Sequence, residues 1–198
     1  MLFRSNLQGV GTETFETQSG SAPLVLNFGV AGTATLLGGG SVASVTPGST
    51  NGFGRYSVPG GSRYWEVEAG AGNTFEIDFS QEIAAFGFYG IDIGDFSGTL
   101  QIQLFDDTNT LINTVDVPSA ASNVANASVL YFGLIAQNDA ELFKSIKFVT
   151  TSGSGDVFAF DSFTIGSKEQ VVNVPEPASL ALVGAALAGL GLARRRRA

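Results

Sequence analysis

Residues 75–105 read FEIDFSQEIAAFGFYGIDIGDFSGTLQIQLF, and the fold turns on how the apolar side chains fall along them. Phe75, Ile77 and Phe79 alternate with Glu76 and Asp78, and Leu100, Ile102 and Leu104 alternate with Gln101 and Gln103. Successive side chains of a strand point to opposite faces, so each run predicts a strand with one face buried and one in water. Between them Ala84–Ile91 (AAFGFYGI) is apolar on both parities, which places it inside a sheet with both faces covered.

Working outward, further β-patterned runs lie at Leu24–Phe28, Thr33–Leu37, Arg63–Glu68, Leu111–Val117, Val129–Leu134, Ser145–Thr150 and Val157–Ile165. They are separated by Gly, Pro, Asn, Asp and Ser, the residues that turns require. The one short helical turn predicted in this region lies around Asp139–Leu142. Strands in this number close up or double to protect their edges, so the expectation is all-β: an antiparallel, two-sheet, jelly-roll-like sandwich. Composition agrees, with 26 Gly and 16 Phe, and with charged residues at 14% against roughly 25% in average soluble proteins.

The chain contains neither cysteine nor histidine. That removes disulfides, thiolate nucleophiles, Ser-His-Asp and Cys-His arrangements, and Cys- or His-ligated zinc. Four of the ten basic residues are the run Arg194–Arg197, leaving six basic against eighteen acidic residues elsewhere, a balance of −12. Such a body repels phosphate backbones, and no nucleic-acid partner is expected. The glycine run LLGGGSV (residues 36–42) lacks the Lys-Ser/Thr ending and following helix of a phosphate loop.

Residues 178–193 (ASLALVGAALAGLGLA) form an uncharged apolar run followed by Arg194, Arg195, Arg196 and Arg197. As a helix its 16 residues reach roughly 24 Å, a little short of a bilayer core of about 30 Å that snorkelling arginines and local thinning can meet. A buried core helix is the alternative at this length, but four adjacent arginines resist burial and, by the positive-inside rule, hold the terminus in the cytoplasm. Val174-Pro175-Glu176-Pro177 breaks regular structure just upstream. Together, VPEPASLALVGAALAGLGLARRRRA resembles the PEP-CTERM sorting signal of Gram-negative bacteria. That resemblance implies an exosortase partner linked to exopolysaccharide production, with Pro175, Glu176 and Pro177 as recognition residues. It also implies a single C-terminal transmembrane helix in the inner membrane, the body in the periplasm, and later release to the surface or matrix. Members normally begin with a signal peptide, which Met1–Gly11 does not resemble, so an upstream start is expected. The expected division is residues 1–14 as an N-terminal segment, 15–167 as the ectodomain, 168–174 (KEQVVNV) as a linker and 175–198 as the sorting signal.

The body, in AAFGFYGIDIGDFSGTLQIQLFDD (84–107) and FAFDSFTIG (158–166), is similar to β-sandwich ectodomains that precede such tails and to carbohydrate-binding modules. Asp161 shares strand parity with Val157, Ala159, Phe163 and Ile165, so it points inward if they do, and a buried lone carboxylate must be protonated, paired or bound to a cation. The resemblance implies a structural calcium between first and last strands, with Glu16 as opposing ligand; a bulge at Asp161-Ser162 that turns the carboxylate to water is the alternative. Asp92 and Asp95 in GIDIGDFSG offer further oxygens for calcium or simply form a turn. Tyr64 and Trp65, with Phe53 and Tyr56 nearby in a glycine-rich stretch, either stack on sugar rings or pack in the core.

Three functions compete on this reading. One is a non-catalytic envelope or matrix protein binding polysaccharide, calcium or both. The second is a glycan hydrolase or lyase working with two carboxylates across a cleft, and the third is a purely structural surface protein.

Overall fold

The alternating segments form strands with the expected sides turned inward in the computed structural model, which describes residues 2–58, 60–69, 75–93, 98–118, 127–151 and 156–172. The strands in chain order are β1 (Thr12–Glu13), β2 (Leu24–Asn27), β3 (Thr33–Leu37), β4 (Ser41–Ser44), β5 (Arg63–Ala69), β6 (Phe75–Ile83), β7 (Ala85–Ile91), β8 (Leu100–Phe105), β9 (Leu111–Val117), β10 (Val129–Ile135), β11 (Phe143–Thr150) and β12 (Asp156–Gly166). One helical turn, α1 (Leu2–Ser5), precedes β1, and 3-10 turns lie at Gly29–Ala31, Asp139–Glu141 and Lys168–Gln170.

Two antiparallel sheets of six strands make the expected sandwich. One runs β10-β7-β12-β5-β4 with β1 also on β12; the other runs β2-β3-β6-β11-β8-β9. The inter-sheet space is filled by aromatic rings: Phe75 stacks on Phe148 at 4.7 Å, and Phe160 meets Phe148 at 5.1 Å and Phe88 at 5.2 Å. Each such pair adds about 0.5–1.5 kcal/mol beyond the area it buries, which gives the high phenylalanine content a structural purpose.

β7 lies between β10 and β12, away from either edge, as its two apolar parities require. Phe86 and Phe88 face the other sheet, while Ala85 and Ile91 join separate clusters on the outer side. Gly87 pairs with Gly133 across β7 and β10. A Cβ on Gly87 would stand 2.7 Å from the Phe3 ring, and one on Gly133 2.6 Å from it. These two missing side chains make a notch that seats the ring of α1 against the sheet.

β1, β4 and α1 are absent from the strand and helix patterns read above, being too short or too small-residued to show periodicity. Residues 168–172, expected as the start of a spacer, instead pack on the body. Gln170 is buried, Val171 bridges Leu7, and Val172 donates its N–H to the Asn6 carbonyl at 2.8 Å.

Candidate functional site

The site grows from an interruption in β12. Its Asp161 pairs with Tyr89 of β7 and Thr164 with Gly87, so the register slips between them, and Ser162 adopts a left-handed φ of 53°. On the other side, β5 pairs with residues 156–160 and β1 with 163–164. The bulge therefore fills the gap where one partner strand ends and another begins. It also corrects the parity read from sequence. Phe158 and Phe160 join Phe163 and Ile165 in the core, whereas Ala159 packs on the outer face with Tyr64 and Ile91. The bulge does not release Asp161 to water: the residue is 0% exposed, because Ser57 and Val58 lie over it.

At this seam the structure brings Glu16 and Asp161 together. Asp161 Oδ2 accepts from the Val58 N–H at 2.7 Å and the Ser57 hydroxyl at 2.9 Å, and Oδ1 from the Ser162 N–H at 2.5 Å. Glu16 Oε1 accepts from the N–H groups of Ser62 at 2.8 Å and Arg63 at 2.9 Å, and Oε2 from the Ser62 hydroxyl at 2.8 Å. The Ser57 hydroxyl lies between the two carboxyls, 3.4 Å from Glu16 Oε1. Gly61 is required beside them, since a Cβ there would fall 2.3 Å from Glu16 Oε1.

The two carboxyls titrate apart. Burial pushes Asp161 up to about 7, the hydrogen bonds from Val58, Ser57 and Ser162 oppose that rise, and the charge of Glu16 reinforces it. For Glu16, partial burial raises the pKa, but the donors of Arg63, Ser62 and Ser57 outweigh it and hold the group below its ordinary range. A buried acid raised toward neutrality beside an ionised one carries a repulsion that protonation of Asp161 or a nearby cation would relieve. The two carboxylates and the Ser57 and Ser62 hydroxyls are hard oxygen donors of the kind calcium takes, although four N–H groups already occupy part of their acceptor capacity.

Asp92 stands elsewhere, so the four acidic residues considered for calcium do not form one group. Asp92 has a left-handed φ of 65°, as a turn residue would. Its Oδ1 accepts from the Ala127 N–H at 3.1 Å, and its Oδ2 lies 3.4 Å from Arg55 Nη1. The Arg55 guanidinium also binds Glu66 at 2.8 Å and the Val157 carbonyl at 3.2 Å. Asp95 lies outside the described residues. Among the described residues no group of three or more acidic side chains gathers as a metal cluster.

Neither residue considered first for sugar stacking reaches the surface. Trp65 is 0% exposed between the sheets and Tyr64 1% exposed beneath the 46–62 loop, where burial pushes its phenol up to about 12. Among the described residues the exposed aromatic is Phe53, at 67%, on the loop that covers Tyr64. Its flanking Gly52 and Gly54, both at positive φ, were the sequence signal for a protruding tip.

Pro175, Glu176, Pro177, the apolar run 178–193 and Arg194–Arg197 lie outside the described residues. Among the described residues no helix is long and apolar enough to cross a membrane.

Residues 173–197 match the PEP-CTERM protein-sorting motif, so the chain carries the sorting signal of an exported protein. No curated protein matches the chain. In fold it is similar to a DUF4465 family protein from Bacteroides caccae, with 10% identity, a TM-score of 0.48, and 76% of this chain and 87% of that one covered. It is also similar to the C-terminal family 22 carbohydrate binding module of Clostridium thermocellum Xyn10B, with 14% identity, a TM-score of 0.47, and coverage of 83% and 97%. For the K2 cleaved adhesin domain of Lys-gingipain the values are 10% identity, a TM-score of 0.43, and coverage of 79% and 98%.

Proposed function

We propose that this is a non-catalytic cell-envelope or matrix protein, anchored in the inner membrane by its tail, processed by an exosortase at Pro175-Glu176-Pro177, and binding polysaccharide through its sandwich. The sorting motif over residues 173–197 is the observation that carries this reading. A carboxylate-dependent glycan hydrolase or lyase needs two accessible acids across a cleft. The acidic pair at the seam has Asp161 wholly buried, out of reach of a substrate, which supports the non-catalytic reading of that site.

A calcium ion at the seam belongs to the same proposal. Glu16 and Asp161 would hold it, with the Ser57 and Ser62 hydroxyls at hand, and the ion would supply the positive charge that lets both carboxyls ionise together. Its role would be to tie the segment after β1 to the last strand, not to take part in a reaction.

Fractionation of cells expressing the full gene tests the sorting. The wild-type protein is expected to pass through the membrane and yield a shortened carboxyl terminus by mass spectrometry. Replacing Pro175, Glu176 and Pro177 by alanine should trap it full-length in the membrane. A wild-type protein found wholly in the cytosol with an intact terminus overturns the proposal.

A further inference from the structure

The 46–62 loop carries two features beyond its part in the core and the seam. The first is Phe53, whose exposed ring is held by its surroundings. Asn51 Oδ1 accepts from the N–H groups of Phe53 at 2.9 Å and Arg55 at 3.2 Å, and the Asn51 N–H returns to the Arg55 carbonyl at 2.9 Å. The Arg55 guanidinium lies 5.6 Å from the Phe53 ring centroid while its own donors are fixed by Glu66, Asp92 and Val157. A flat apolar surface is thus presented to water from a braced base, so little conformational freedom is left to lose when something stacks on it. The second feature is a concavity of about 360 Å3 on the same loop, lined by Ser49, Thr50, Tyr56, Ser57, Val58 and Ala127 among others. That volume falls within the usual range for small-molecule sites.

The chemistry of the two features selects a ligand class. An aromatic face receives the C–H face of a sugar ring, and the exposed hydroxyls of Ser49 and Thr50 match sugar hydroxyls as donors and acceptors. Among the described residues, no charged side chain lines the concavity. Glu16 is a neighbour through Ser57, and the body is acidic overall, so a uronate- or sulfate-bearing chain would be repelled.

We propose that the 46–62 loop is the polysaccharide-binding surface, with Phe53 as the stacking platform, the Tyr56-lined concavity as the adjoining subsite, and an uncharged polysaccharide segment as the ligand. This rests on the polysaccharide-binding reading above and gives it a location.

The test uses the full chain in mild detergent and the exopolysaccharide of the bacterium that encodes it, split by anion exchange into neutral and acidic fractions. Binding is read by affinity electrophoresis, with Tm and Trp65 fluorescence as folding controls. Wild-type protein should be retarded by the neutral fraction. Phe53→Ala should weaken that retardation about tenfold or more with Tm unchanged, Phe53→Trp should preserve it, and Tyr56→Ala should weaken it. Wild-type binding that survives both alanine changes overturns the site and leaves the broader reading standing. Binding to the acidic fraction alone overturns the choice of ligand, and binding to neither fraction overturns both the site and the reading.

Discussion

Between pH 5 and pH 8 the protein should lose stability, opposite to the trend of a domain whose carboxylates are all favourably paired. Asp161 is raised from an ordinary 3.8 to about 7. Over that interval the folded state keeps a proton that the unfolded chain has released, and stability falls wherever the folded state binds more protons. The contribution is complete below the unfolded pKa and is lost as pH rises through the folded one. At about 1.4 kcal/mol per pKa unit, the part falling between pH 5 and 8 is roughly 2–3 kcal/mol, or about 5–10 °C in Tm for a domain of this size. Glu16 is lowered, so its contribution runs the other way, but it is lost only at more acid pH and does not mask the effect. Trp65, the single tryptophan and wholly buried, reports unfolding by its fluorescence in urea titrations at each pH. Asp161→Asn should flatten the curve, even though its amide fits the Ser162 N–H poorly and lowers stability at every pH. Millimolar calcium should raise Tm more at pH 8 than at pH 5, because a cation favours the ionised pair. A wild-type stability that is level or rising from pH 5 to 8 refutes the argument about Asp161, and an unchanged Tm with calcium at pH 8 refutes the cation.

Three further outcomes test the framework around the site. Arg55→Met should destabilise by about 3 kcal/mol in urea titration, since it takes the guanidinium away from Glu66, the Val157 carbonyl and the buried Asp92 together; a loss under 1 kcal/mol would mean that these groups are satisfied by other contacts. Gly87→Ala should cost about 1–3 kcal/mol by driving a methyl into Phe3, and Phe3→Ala should suppress much of that penalty in a double-mutant cycle. Additive losses would deny the notch. Gly40→Ala combines a left-handed φ of 94° with a Cβ 2.7 Å from the Trp65 indole, so a Tm loss of several degrees with shifted Trp65 emission is expected.

Residue patterning was enough to place most of the strands, the two-sheet class and the inner faces of β6 and β8, because alternation records which side of a strand meets water and both strands keep one wet side. It also located the sorting tail, whose proline-flanked glutamate, apolar run and arginines are contiguous. Glu16 is set opposite Asp161 by the resemblance to carbohydrate-binding modules. The parity that turns Asp161 inward fails, because the bulge expected as the alternative does occur at Asp161-Ser162, and it is the cover from Ser57 and Val58 that keeps the carboxyl from water. Which aromatic residues remain available is settled by packing between distant segments. Tyr64 and Trp65 lie on opposite faces of one strand, and both are covered, one by the second sheet and one by the 46–62 loop. Phe53 stays outside because that loop is braced from beneath by Arg55. Local pattern cannot carry such information, because the cover comes from chain segments distant in sequence, and burial is a property of what arrives from elsewhere.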